Sequence, residues 1–96
     1  MSSFKVSRAA QNDLKDIGRY TLKNWGRAQR DQYLRSLDQC FQTLADSPRL
    51  GRDVGDLRQG YYRYDHQSHI VFYVIIDTGI RIVRVLHSRM DCERHL

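Results

Sequence analysis

Ninety-six residues suffice for one domain with a single core, spanning 1–96, and not for two. The apolar fraction of 41% and charged fraction of 28% are those of an ordinary globular chain, and no apolar run approaches the roughly 20 residues that span a bilayer. The formal net charge of +5, with Arg supplying 13 of the 16 basic residues, fits an acidic protein partner or a nucleic acid, because Arg makes planar, bidentate contacts with carboxylate or phosphate.

The opening MSSFKVSR has neither an apolar h-region nor a cleavage pattern, so no signal peptide is read and a cytoplasmic protein is expected. Phe4-Lys5-Val6 reads as a short strand, and Ser7 is a good N-cap for a helix beginning at Arg8. Ala10, Leu14, Ile17, Thr21 and Trp25 recur at three- and four-residue steps and form one apolar stripe, with Trp25 expected as a core anchor between helices and sheet. Gly26 is a natural stop. A second helix runs from about Ala28, with Leu34, Leu37, Phe41 and Leu44 as its buried stripe, until Asp46-Ser47-Pro48 ends it. So short a connection folds the two helices into an antiparallel hairpin. Residues 49–60, with three Gly, read as a loop, Tyr61–Tyr64 as a strand, and the segment after Leu86 as a turn or short helix. Cys40 and Cys92 are read as two reduced thiols. No CxxC or HxxxH spacing offers a metal site, and no cofactor is expected.

The centre of the chain is His69–Met90, where Ile70–Ile76 and Ile80–Leu86 form two apolar runs around Asp77-Thr78-Gly79. β-Branched and aromatic residues with a short Asp/Gly break predict a β-hairpin. Both of its faces are apolar: Ile70, Phe72, Val74 and Ile76 point one way, Val71, Tyr73 and Ile75 the other. The predicted class is α+β in the order β-α-α-β-β-β, a helical hairpin packed on one face of a small, mainly antiparallel sheet. Two helices cannot cover both faces, so one of the two apolar sets is expected to stay exposed as a binding surface. The alternative is that residues 49–60 and the C-terminal tail fold over it.

Asp13-Leu14, Ile17, Tyr20-Thr21, Trp25-Gly26, Ala45, Pro48, Gly51-Arg52 and Gly60-Tyr61-Tyr62-Arg63 form an ordered set of blocks. They continue through Ser68-His69, Val71-Phe72-Tyr73, Ile82–His87, Arg89-Met90-Asp91 and His95-Leu96. In order and spacing these blocks resemble the ParE toxins of bacterial type II toxin–antitoxin systems, within the RelE/ParE superfamily, over nearly the whole chain. The resemblance implies an inhibitor that binds DNA gyrase rather than a catalyst, neutralised by a ParD-like antitoxin whose disordered segment folds on contact. That antitoxin is expected on the apolar face of Val71, Tyr73 and Ile75, with Arg63 and Arg84 beside it, and the gyrase contact at His87, Arg89, Met90 and Asp91. DNA binding by the toxin alone is not expected to be sequence-specific, because no helix carries a run of base-reading residues.

The same fold supports a second chemistry, since fold does not determine function. An mRNA endoribonuclease like RelE needs a base for the 2′-hydroxyl and a cation for the developing phosphorane, and Arg63, Arg84, His87, Arg89 and Tyr61 are the candidates. Against it, the chain has only Lys5, Lys15 and Lys23, and its C-terminal block resembles ParE. These residues also have structural readings: Arg63 and Arg84, expected on neighbouring strands, pair with Asp residues, and His69 caps the turn or satisfies a strand end.

Overall fold

The computed structural model describes residues 3–96; Met1 and Ser2, part of the stretch read for a leader, lie outside the described residues. The expected element order is present, the tail forming a short helix, one of its two expected forms, and the 49–60 segment, read as a loop, adding a two-residue strand. In sequence the elements are β1 (Ser3–Val6), α1 (Arg8–Trp25), α2 (Arg27–Asp46), β2 (Arg52–Asp53), β3 (Tyr61–His66), β4 (His69–Ile76), β5 (Gly79–His87) and α3 (Cys92–His95). The strands form one sheet in the order β1-β5-β4-β3-β2, in which β1 runs parallel to β5 and all other neighbours are antiparallel. The helical hairpin thus carries the chain from one sheet edge to the other across a single face.

Local chemistry explains the boundaries. Ser7 accepts a hydrogen bond from the Ala10 amide at 3.1 Å, capping α1, and its hydroxyl donates to the Val83 carbonyl at 2.8 Å. Val83 is the extra residue of a bulge, because Phe72 faces Arg84 while Tyr73 faces Ile82. The bulge lets Ile82 and Val85, three residues apart, both turn toward the helices. Gly26 alone joins the helices, at a φ of 91° with its amide on the Leu22 carbonyl at 3.0 Å. A side chain there would have open space around it, so the positive φ is what calls for glycine. No helix among the described residues is long and apolar enough to cross a membrane.

The sheet carries apolar packing on both faces. On one, Val71, Tyr73, Ile80, Ile82 and Val85 meet Ile17, Leu37, Phe41 and Leu44 of the helices, with Cys40 among them. On the other, Ile70, Phe72 and Leu86 are covered by Val54 and Leu57 from the 49–60 segment and by Cys92 and Leu96 from the tail. The expectation of a bare apolar face is therefore overturned, and the alternative cover is what the fold uses. Val71, Tyr73 and Phe72 are 0% exposed, and only Ile75, at 40%, reaches solvent from the set expected to bind a partner. The physical reason is that the covering segments are not irregular. Val54 bonds Tyr61, Leu57 and Arg58 bond the Val54 carbonyl, and Leu96 bonds the Cys92 carbonyl, so the backbone arrives already satisfied. Each large apolar side chain thus buried contributes about 1.5–3 kcal/mol. Tyr73 reaches deepest: its hydroxyl donates to the Pro48 carbonyl at 2.7 Å and accepts from the Gly51 amide at 2.9 Å, which fixes the chain as it leaves α2.

Beyond β1 the edge of β5 is closed by a side chain. Asp13 of α1 takes two bonds from Arg84, each 2.8 Å, and a third from the Val85 amide at 2.9 Å. Arg84 also donates to the His95 carbonyl at 2.7 Å, tying in α3. Asp13→Ala should lower stability by about 2–3 kcal/mol, since it strands a mostly shielded guanidinium and a backbone amide together. Urea denaturation measures this against Asp16→Ala, which removes only the exposed 3.5 Å pair with Arg19 and should stay within about 0.5 kcal/mol. Equal losses would reduce Asp13 to an ordinary surface charge.

Candidate functional site

Residues 22–29, the last turn of α1 and the first of α2, are exposed throughout, so the hairpin tip projects past the packed layers. Trp25 is consequently 70% exposed, not a core anchor, and Tyr20 is 65% exposed. The apolar stripe of α1 is buried only as far as Thr21. Between this tip and the end of β5 lies an open cleft of about 720 Å³. Tyr20, Trp25 and Gln29 form one wall, His87, Arg89 and Met90 the other, with Ile17 and Leu86 between. Met90 is itself 38% exposed. A second cleft of about 600 Å³ runs between the helices, floored by Leu14, Gly18, Leu34 and Phe41 and edged by Lys15, Arg19 and Arg30.

Three of the four residues expected to make the gyrase contact, His87, Arg89 and Met90, come together in the first cleft. The fourth, Asp91, is the N-cap of α3, its carboxylate accepting from the Glu93 amide at 3.2 Å. Tyr20 and Trp25 are the additions. Tyr20 falls outside the apolar stripe, and an aromatic off the buried face of a helix is the signal that could have found it.

The nuclease candidates do not converge. Arg63 and Arg84 are not on neighbouring strands: β4 separates them, with the buried Phe72 in the row between, roughly 10 Å from one to the other at ordinary strand spacing. Arg63 pairs with Asp65 at 2.9 Å, Arg84 is held by Asp13 and the Arg58 guanidinium lies over the Tyr61 ring at 5.6 Å. Hydrogen bonding to Asp13 pushes the Arg84 pKa up, so its cation is committed. Among the described residues no group of three or more His, Cys, Asp or Glu side chains is placed to hold a metal ion.

At the same end of the sheet, His66, His69 and His87 occupy adjacent strands as cross-strand partners. His69 Nδ1 lies 2.6 Å from the Tyr33 hydroxyl, and its ring meets that of His87 edge-on at 5.3 Å. Ser36 gives its proton to the Tyr33 carbonyl at 2.7 Å, so His66 Nε2, 3.0 Å away, is the donor of that pair. His87 Nδ1 accepts from the Arg89 amide at 3.1 Å. Burial, reinforced by the charges of His87 and His66, holds His69 at a pKa of about 4 rather than 6.5. Between those values the unfolded chain binds a proton that the native chain lacks, so stability is complete above pH 6.5 and falls as the pH drops toward 4. His69→Gln should flatten the fall of the urea midpoint across that window relative to wild type. An unchanged profile would assign the pH dependence to other groups.

The chain matches the family described as ParE toxin of type II toxin-antitoxin system, parDE, over residues 4–92. It is 42% identical over 96 residues to Toxin ParE1 of Mycobacterium tuberculosis, spanning 99% of this chain and 98% of that one. Toxin ParE1 of Caulobacter vibrioides is 38% identical over 96 residues, spanning 100% and 99%. Among solved structures, a chain of the chromosomal ParDE TA system from P. aeruginosa superposes with a TM-score of 0.77, covering 91% of this chain and 96% of its own. A chain of the YoeB-YefM complex from Staphylococcus aureus gives 0.57, covering 91% and 97%. Both structures are 18% identical to this chain and speak to the fold alone. On the sequence relationships, the chain belongs to the ParE toxin family of type II toxin–antitoxin systems, within the RelE/ParE superfamily.

Proposed function

We propose that this toxin acts by binding DNA gyrase, with no bond-breaking chemistry of its own, and that a ParD-like antitoxin holds it inactive. The observation that carries this reading is the cleft at the hairpin tip, where Tyr20, Trp25 and Met90 remain exposed beside Arg89. Trp, Tyr and Arg dominate the energetics of protein interfaces, and Met is enriched there. Such side chains left uncovered on a chain this small are suited to a protein partner. The commitment of Arg84 to Asp13 supports the same reading, because it occupies the cation a nuclease would turn on a phosphorane.

With Val71 and Tyr73 sealed beneath the helices, the antitoxin is better served by the groove between α1 and α2. An amphipathic segment laid there would cover Leu14, Leu22 and Leu34 and meet Lys15 at the rim, where Arg19 and Arg30 stand paired with Asp16 and Asp31. Arg63 and Arg84, expected beside the antitoxin, are occupied by Asp65 and Asp13.

The purified chain should inhibit DNA supercoiling by gyrase and leave ribosome-bound mRNA intact. Trp25→Ala and Arg89→Ala should each weaken inhibition about tenfold or more, the loss of an interface anchor, with an unchanged melting temperature because both side chains are exposed. Point substitutions are the informative variants: truncation after Leu86 would also remove Cys92 and Leu96 from the core. Codon-specific mRNA cleavage with unaffected supercoiling would replace this reading with the nuclease.

A further inference from the structure

Strand register places Lys5 of β1, Arg81 of β5, Val74 of β4 and Tyr61 of β3 in one cross-strand row, on the face turned away from α1 and α2. Two residues farther along β3, Arg63 shares that face and stands opposite Arg52 of β2. The face thus holds two directly opposed basic pairs: Lys5 with Arg81, neither in an ion pair among the described residues, and Arg52 with Arg63, in which Arg63 is already paired with Asp65 at 2.9 Å. Like charges in that position destabilise a sheet. Among the described residues no ion pair relieves Lys5, Arg81, Arg52 or Arg58, and all four are exposed. From β1 to β2 the strip crosses four strand intervals, roughly 19 Å.

We propose that this face binds the phosphate backbone of duplex DNA without reading its sequence. Opposed cations that repel in the free protein become favourable when an anion of closely repeated charge lies across them, and phosphates recur about every 3.4 Å along each strand of a duplex. Single-stranded nucleic acid fits less well. Its binding relies on aromatic rings open for base stacking, and Tyr61 is already under the Arg58 guanidinium at 5.6 Å. The strip lies on the sheet face, whereas the candidate gyrase cleft is walled by the hairpin tip and the residues after β5. Binding of this kind needs no gyrase.

Fluorescence anisotropy of the purified toxin with a labelled duplex of about 30 base pairs, titrated across salt, reads the contact directly. Three to four phosphates neutralised predict a slope of log affinity against log salt of about −3 to −4, independent of sequence. Arg81→Glu should cut affinity at least tenfold at about 50 mM salt and make the slope shallower by about 2, since it removes one cation and engages Lys5. The same substitution turns a repulsive cross-strand pair into an attractive one, so the melting temperature should hold or rise as binding falls. The proposal is overturned by any of three results: no duplex binding at that salt, binding indifferent to Arg81→Glu, or a single strand or polyglutamate competing as well as duplex.

Discussion

The contact on which the rest of the molecule depends is the carboxylate of Asp13. It receives Arg84 through two nitrogens and the Val85 amide through a third bond, at the point where β5 outruns β1 and its edge would otherwise stand open. One side chain therefore docks α1 on the sheet and substitutes for a missing strand. Through Arg84 and the His95 carbonyl it also anchors the segment that roofs the second face. The bulge at Val83 belongs to the same device: it turns both Ile82 and Val85 inward beside this clamp, and Ser7 secures it. Asp13 thus joins three layers that are far apart in the chain.

How much of this could be read from the residues depended on range. Ser7, Gly26 and Pro48 announce their roles because capping, a positive φ and a missing amide proton are local properties. The central hairpin was legible for a similar reason, its alternation being intrinsic to two short runs. The cover on the second face was not, because Val54, Leu57, Cys92 and Leu96 share no period and act across the fold. Trp25 misled because counting a stripe assumes a helix covered along its full length, whereas the hairpin tip stands clear. Within the candidate site, His87, Arg89 and Met90 were found together since they are nearly contiguous. Their aromatic wall on α1 comes from about 65 residues earlier, and no local pattern announces it.

The completed core leaves a division of surfaces that an incomplete one would not. A bare sheet would have offered a partner the most hydrophobic part of the chain and would have tied stability to being bound. Instead the sheet is finished internally, and what remains outside is smaller and more varied: an aromatic and basic cleft at one end, an apolar groove between helices, and a cationic strip on the far face. None of them includes Tyr73, whose ring and hydroxyl hold the centre.

Cys40 and Cys92 lie in different cores, one under the helices and one under the tail, with the full thickness of the sheet between them. Side chains reaching from opposite faces of a pleated layer cannot bring two sulfurs to bonding distance. Burial pushes the Cys40 thiol up to about 11, so it stays protonated and unreactive. An oxidant acting on the folded monomer can therefore neither staple it shut nor spring it open, and a covalent dimer would have to form through Cys92 alone.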